Sequence, residues 1–261
     1  MRDRDDLMDF TARLAHSAGK VTLEHFGGCA VEFKGDGSEV TAADHAAEEH
    51  IRAAIRERFP EDGVVGEEGE DIPSRSGRRW IVDPIDGTRT FSCGVPLYGV
   101  LVALEEEGEP VLGCCHFPAL GETLVAARGA GTWNNGRRVS VSGCGDLASA
   151  RLVTSGMEYW RDRSSDEHRA GFERLVHATR FTRTWGDSYG YFLVAVGRVE
   201  LLVDPICGSY WDYAPMVPIL AEAGGRLTTI QGGPLSAGSS LVASNGLLHE
   251  AAMRVLAGEG G

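Results

Sequence analysis

The stretch Trp80-Ile81-Val82-Asp83-Pro84-Ile85-Asp86-Gly87-Thr88 drives an apolar strand directly into two carboxylates, a glycine and a hydroxyl. The β-branched and aromatic residues Trp80 to Val82 suit a buried strand. Pro84 cannot donate to a ladder, so the strand is expected to stop near Asp83. Asp86 follows across a short turn, so both carboxylates can face one cation while the Ile85 carbonyl supplies a neutral oxygen. Hard oxygen ligands of this kind suit Mg²⁺. A helix opening at Gly87 and Thr88 would offer free backbone N–H groups and its positive dipole end as an anion seat beside the metal, and a phosphate would bridge the two. Asp-Gly alone is ordinarily a turn; the longer string is far more specific.

Asp83-Pro84-Ile85-Asp86-Gly87-Thr88 resembles the signature of the inositol monophosphatase family, the magnesium-dependent, lithium-sensitive phosphatases, and further family elements recur in order over nearly the whole chain. Gly66-Glu67-Glu68 is similar to the segment that supplies another metal carboxylate, which implies Glu67. Asp36 to Asp44 resembles the segment whose Thr-x-x-Asp opens a helix. Thr41 and Asp44 also fit an N-terminal capping box, and the resemblance implies that Asp44 accepts a hydrogen bond from Thr88 to orient the attacking water. Lys34 has a family counterpart. Trp211-Asp212 looks like the last metal carboxylate, at a helix N-terminus where the dipole favours an acid. Glu67, Asp83, Asp86 and Asp212 come from three separated segments, and gathering four anions costs far more than it returns unless cations neutralise them. Glu222-Ala223-Gly224-Gly225 reads structurally, as a glycine-terminated helix followed by a strand from Arg226 to Thr229.

With 261 residues and 43% hydrophobic content, the chain can bury a substantial core as one large domain or two lobes. No window is apolar for long enough to span a bilayer, and Met1-Arg2-Asp3-Arg4-Asp5-Asp6 is too charged to begin a signal peptide, so a cytoplasmic protein is expected. The six cysteines show no Cys-x-x-Cys spacing and read as reduced thiols. A net charge of −13 argues against nucleic acid and anionic membranes as partners; it also repels a phosphorylated substrate unless bound metal reverses the sign locally.

Apolar residues at helical spacing predict helices over 3–26 and 41–59. From Leu97 to Ser142 short runs broken by turn residues predict an antiparallel meander. After about Ala150 strands alternate with helices. The boundary is expected in Gly143 to Asp146, with lobe 1–145 carrying most metal ligands and lobe 146–261 carrying substrate contacts and the last ligand. The resemblance implies an α/β architecture, a layered αβαβα sandwich with the active site between lobes, and relatives suggest a possible homodimer.

The implied mechanism uses two or three Mg²⁺ per site. Glu67, Asp83 and the Ile85 carbonyl would hold one ion that acidifies water; Asp83, Asp86 and Asp212 would hold another against the phosphate and the ester oxygen. Thr88, Asp44 and Glu67 would position and deprotonate the water, and Asp86, Gly87 and Thr88 would hold the phosphate. The Asp83 to Asp86 spacing does not supply the Asp-x-Asp of phosphoenzyme routes. For the substrate, Gly186-Asp187-Ser188-Tyr189-Gly190-Tyr191 and Thr88-Arg89-Thr90-Phe91 resemble the histidinol-phosphate phosphatases of the family. An Asp187 carboxylate would pair with the substrate cation, or cap the helix at Tyr189; Arg183 would contact substrate or brace the loop, and Asp212 would also face it. Where most relatives place a substrate-contacting acid, seven positions before Asp212, this chain has Pro205, with Asp204 one residue earlier. The alternatives are an inositol or broad sugar monophosphatase and, from another class, a non-catalytic sensor of metal or phospho-metabolite.

Overall fold

The computed structural model describes residues 2–28, 30–33, 35 and 39–259; Lys34 and the Asp36-Gly37-Ser38 segment fall outside them. The order is α1 (Arg2–Leu23), β1 (Val31–Phe33), β2 (Glu39–Thr41), α2 (Ala42–Arg58), β3 (Gly63–Gly66), β4 (Arg78–Asp86), α3 (Thr88–Ser92), then the strands β5 (Gly99–Glu106), β6 (Glu109–Phe117), β7 (Glu122–Ala127), β8 (Gly131–Asn134) and β9 (Arg137–Val139). A 3₁₀ turn (Leu147–Ser149) leads into β10 (Arg151–Val153), α4 (Met157–Asp162), α5 (Asp166–Ala178), β11 (Phe181–Arg183), α6 (Asp187–Ala195), β12 (Leu201–Asp204), α7 (Tyr210–Tyr213), α8 (Met216–Ala223), β13 (Arg226–Thr228), β14 (Leu241–Ser244) and α9 (His249–Ala257).

Two sheets dominate. One runs β3-β4-β5-β6-β7-β8-β9, the other β11-β10-β12-β14-β13, and β1-β2 form a separate hairpin. The period-2 alternation of the strands decides what each face meets. In β4 and β5, Trp80, Val82, Val100 and Val102 pack on Leu14, Ile51 and Ile55 of α1 and α2. Leu101, Cys115, Phe117 and Leu124 point the other way, into a core shared with Phe192 of α6, Ile219 and Leu220 of α8, and Leu202 and Ala243 of the second sheet. Beyond it, Leu201, Val203 and Val242 meet Phe172, Leu175 and Leu256 of α5 and α9. The layers are therefore helix, sheet, helix, sheet, helix, the expected αβαβα sandwich. Each fully buried side chain of this kind contributes about 1.5–3 kcal/mol. Adjacent Cys114 and Cys115 belong to opposite faces of β6, which keeps their thiols apart.

Two local readings change. β4 continues to Asp86 instead of stopping at Asp83, because the register with β5 shifts between Asp83 and Asp86. Pro84 lies inside that irregularity, where its missing N–H costs no ladder bond. The helix expected near Tyr189 starts at Asp187, and Gly186 is its N-cap without any side-chain hydrogen bond, so Asp187 does not cap it. α8 ends as expected, at Gly224 in the left-handed region (φ 89°).

Candidate active site

Asp83 and Asp86 are delivered by the bulged end of β4, and Asp212 arrives from α7. Ligand oxygens of these three residues lie within 4.8 Å of one another, the group of this kind found among the described residues. Asp83 is 1% exposed, and its Oδ1 accepts from the Ile85 N–H at 3.0 Å, which braces the irregular turn. Asp86 Oδ2 accepts from the Ser188 N–H at 2.7 Å, so this carboxylate also serves the first turn of α6. Asp212 Oδ2 accepts from the Ser209 N–H at 2.6 Å, closing a capping box at the start of α7. Glycine at 208 leaves room for this carboxylate, since a Cβ there would push Asp212 Oδ2 out of its place.

Burial is the main reason these acids hold their protons tightly. It pushes Asp83 well above the ordinary carboxylate range, with Glu67, Asp86 and Asp212 adding repulsion. Asp86 is raised by burial and then by Asp187 and Asp212. Asp212 is pushed up to about 7, first by burial and then by Glu67. Such a cluster is unfavourable as a bare set of anions and fits a divalent cation, whose charge removes the repulsion.

Glu67 stands on the wall of the same cleft, just after β3. Its loop is held from α2: buried Glu48 accepts from the N–H groups of Glu68 and Gly69, both at 2.8 Å, and from Arg52 Nε at 2.6 Å. A side chain at Gly66 would press its Cβ to 2.5 Å from Glu48 Oε1, so glycine lets the loop close on this clamp. Glu48 carried no signal in sequence, because one glutamate on an amphipathic helix reads as solvated.

The expected hydrogen bond from Thr88 to Asp44 is not the one formed. Thr88 Oγ1 donates to the Ile85 carbonyl at 3.2 Å. Asp44 Oδ2 accepts from the Thr41 N–H at 2.8 Å, the return bond of a capping box, and also from the Thr41 hydroxyl at 2.6 Å. Asp44 Oδ1 is buried with no partner among the described residues, and burial raises this acid too. Gly87, at φ 84°, turns the chain from β4 into α3, so Thr88 opens the helix as expected.

The cleft holds about 440 Å³ and is lined from the first half of the chain by Glu67, Asp83, Asp86 and Thr88, and from the second by Ser155, Tyr159, Asp187, Asp204 and Asp212, with Arg89 and Arg163 also on its wall. Asp187 sits at φ 51°, its N–H donating to Ser155 Oγ at 2.8 Å. Ser155 is fixed in turn by Asp204, whose oxygens accept from Thr154 Oγ1, Ser155 N and Ser155 Oγ at 2.6–2.7 Å. Burial pushes Asp204 up to about 7 against these bonds. Asp204 thus braces Ser155 at the cleft wall. Arg183 is not brought to the cleft: it is exposed on β11, with its guanidinium 5.2 Å from the Phe181 ring and bonded to the Thr182 carbonyl. The cations that do line the cleft are Arg89 and Arg163. Arg89 reaches over to Glu158 at 3.7 Å and Tyr159 at 3.5 Å. Sequence reading missed Ser155, Tyr159 and Arg163, which lie in a stretch without periodicity or motif.

An αβαβα sandwich with an acidic cluster at its central cleft defines a metal-dependent phosphatase. The chain belongs to the inositol monophosphatase family, whose profile it matches over residues 3–259, and it is a phosphoric monoester hydrolase. It is 47% identical to a histidinol-phosphatase of Chlorobaculum parvum, over 84% of this chain and 83% of that one. It is 40% identical to a histidinol-phosphatase of Mycobacterium tuberculosis, over 94% of this chain and 95% of that one. Among solved structures it resembles the IMPase of Thermotoga maritima, with a TM-score of 0.85, 34% identity and coverage of 96% of both chains. Among the described residues, no helix is long and apolar enough to cross a membrane.

Proposed function

We propose that this protein is an Mg²⁺-dependent histidinol-phosphate phosphatase, converting L-histidinol phosphate and water to L-histidinol and phosphate in histidine biosynthesis. The observation that carries this reading is the position of Asp187. A Cβ placed on Gly87 would lie 3.4 Å from Asp187 Oδ2, so a carboxyl group stands directly beside the turn that is to seat the phosphate, and a substrate cation there would offset the burial that raises its pKa. Histidinol phosphate needs that: its ammonium is on the carbon next to the phosphoester methylene. The names of the two relatives above point the same way.

Glu67, Asp83, Asp86, Asp212 and the Ile85 carbonyl are the oxygens that would hold two or three Mg²⁺. Bound there, Mg²⁺ would acidify water and neutralise charge on the phosphate and leaving oxygen. Gly87 and Thr88 seat the phosphate with their backbone N–H groups. With Mg²⁺ held at the Ile85 carbonyl, the Thr88 hydroxyl would be free to bond Asp44 Oδ1, which has no partner among the described residues, and so to orient the water, with Glu67 as the base that takes its proton. The water oxygen would bond to phosphorus as the ester P–O bond breaks, the leaving oxygen taking a proton from a second water, and the proton held by Glu67 then passing to solvent. On this reading the enzyme is cytoplasmic, is built as lobes 1–145 and 146–261, and pairs as a homodimer, which sedimentation would test.

A phosphate-release screen of histidinol phosphate against inositol 1-phosphate, with excess Mg²⁺, should show a clear preference for the first. Asp187→Asn removes a charge-assisted contact of about 1.5–3 kcal/mol, so kcat/KM for histidinol phosphate should fall roughly ten- to a hundredfold. Neutral polyol phosphates should change far less. Equal losses on both substrates, or a wild-type preference for inositol phosphate, would turn the assignment toward an inositol or sugar monophosphatase.

A further inference from the structure

Tyr210 lies two residues before Asp212, yet its side chain reaches the large sheet and not the cleft. Its hydroxyl donates to Glu105 Oε2 at 2.6 Å. Glu105 Oε1 accepts from Arg79 Nε at 2.7 Å and pairs with Nη2 at 2.6 Å. Glu105 is 4% exposed, and it is the cross-strand partner of Arg79 in the β4-β5 pair. The same β4 delivers Asp83 and Asp86 at its other end. α7 has only four residues and rests on Ile81 and Ala103 through the apolar cluster around Ala214. Its capping box orients the Asp212 carboxylate within α7 alone. That box does not set how far α7 stands from the sheet, whereas the Tyr210-to-Glu105 bond ties α7 to β5, and the Glu105–Arg79 pair carries the tie to β4.

We propose that Tyr210 and Glu105 are positioning residues that hold Asp212 at the separation from Asp83 and Asp86 that a divalent cation requires. A rigid rod from strand to helix serves here because three carboxylates on two elements repel until the ion arrives, and a loosened α7 would drift outward. The inference rests on reading the acidic cluster as a metal centre.

The test is direct Mn²⁺ binding to the whole chain, followed by calorimetry, alongside phosphate release at varied Mg²⁺. Tyr210→Phe should weaken Mn²⁺ binding about tenfold, the lower end of what outer contacts to metal ligands contribute. At saturating Mg²⁺, kcat should return most of the way to wild type, and KM for the ester should not move. Glu105→Gln keeps an acceptor oxygen for Tyr210 and should fall between Tyr210→Phe and wild type. Tyr213→Phe is the control. Tyr213 is on the same helix, with its ring 5.4 Å from that of Tyr210, and its hydroxyl makes no hydrogen bond among the described residues, so its removal should leave Mn²⁺ binding unchanged. Wild-type Mn²⁺ affinity in Tyr210→Phe, or an equal loss in Tyr213→Phe, would overturn the positioning role. A wild-type chain that binds no Mn²⁺ would overturn the metal centre itself, and the two failures are distinguishable.

Discussion

Asp83→Asn should lower turnover by at least about a hundredfold, and raising Mg²⁺ should not restore it. Asp83 is the most enclosed member of the cluster and the one burdened by repulsion from Glu67, Asp86, Asp212 and Asp44 together. An asparagine oxygen can still accept the Ile85 N–H, so the turn that shapes the site should survive. What disappears is the negative charge that attracts the ion. The same loss relieves the repulsion, so the thermal midpoint in metal-free buffer should hold or rise, while the increment added by Mg²⁺ should shrink. A variant with wild-type kcat at saturating Mg²⁺ would show that Asp83 is not a ligand.

Stripping metal with excess EDTA should reduce turnover to background, and the stability it costs should grow with pH. The sign follows from Asp212, whose carboxyl is pushed from 3.8 unfolded up to about 7 folded. Below the lower value both states are protonated and the cluster carries no penalty. Between the two values the unfolded chain ionises first, so folding weakens, and above about 7 the penalty is fully present. Bound Mg²⁺ removes it and needs ionised ligands, so loading becomes more favourable over the same window. Buried His116 and His249, lowered to about 4, add stability as pH rises through that range in loaded and stripped protein alike. The informative measurement is therefore the gap between loaded and stripped midpoints, expected to widen from pH 5 to pH 8. A constant gap, or hydrolysis undiminished in EDTA, would refute the metal reading. Ca²⁺ should inhibit the loaded enzyme, because its longer bonds and looser geometry mismatch a Mg²⁺ site.

The acidic side of the cleft was legible in the sequence because strand pattern, paired acids and glycine all act locally. Asp83, Asp86, Gly87 and Thr88 are neighbours along the chain, so their proximity in space needs no tertiary information. The rim was less legible because it depends on where separate segments dock. Arg183 was expected near substrate from its place in a motif, but β11 is an edge strand and aims it over Phe181. Ser155 and Tyr159 enter the cleft only because β10 lies next to β12 in the second sheet, which aligns Ser155 with Asp204. Thr41 outcompetes Thr88 for Asp44 Oδ2, since a cap three residues away in the same chain forms with the helix itself. The continuation of β4 past Pro84 escaped a rule written for regular ladders.

The layered core also has a history in time. The seven-stranded sheet and its outer helices are complete by Val139, but the helices that cover its second face, α6 and α8, lie beyond residue 186. At the roughly 5–20 residues per second of protein synthesis, the 126 positions from Asp86 to Asp212 take roughly 6–25 s to appear. From Val139 until α6 and α8 follow, the growing chain has one finished face and one bare one, with Leu101, Cys115, Phe117 and Leu124 uncovered and the acids of β4 lacking first Ser188 and then Asp212. The acidic cluster therefore cannot assemble before Asp212 is made, and a chain released earlier in that window keeps an apolar sheet face uncovered.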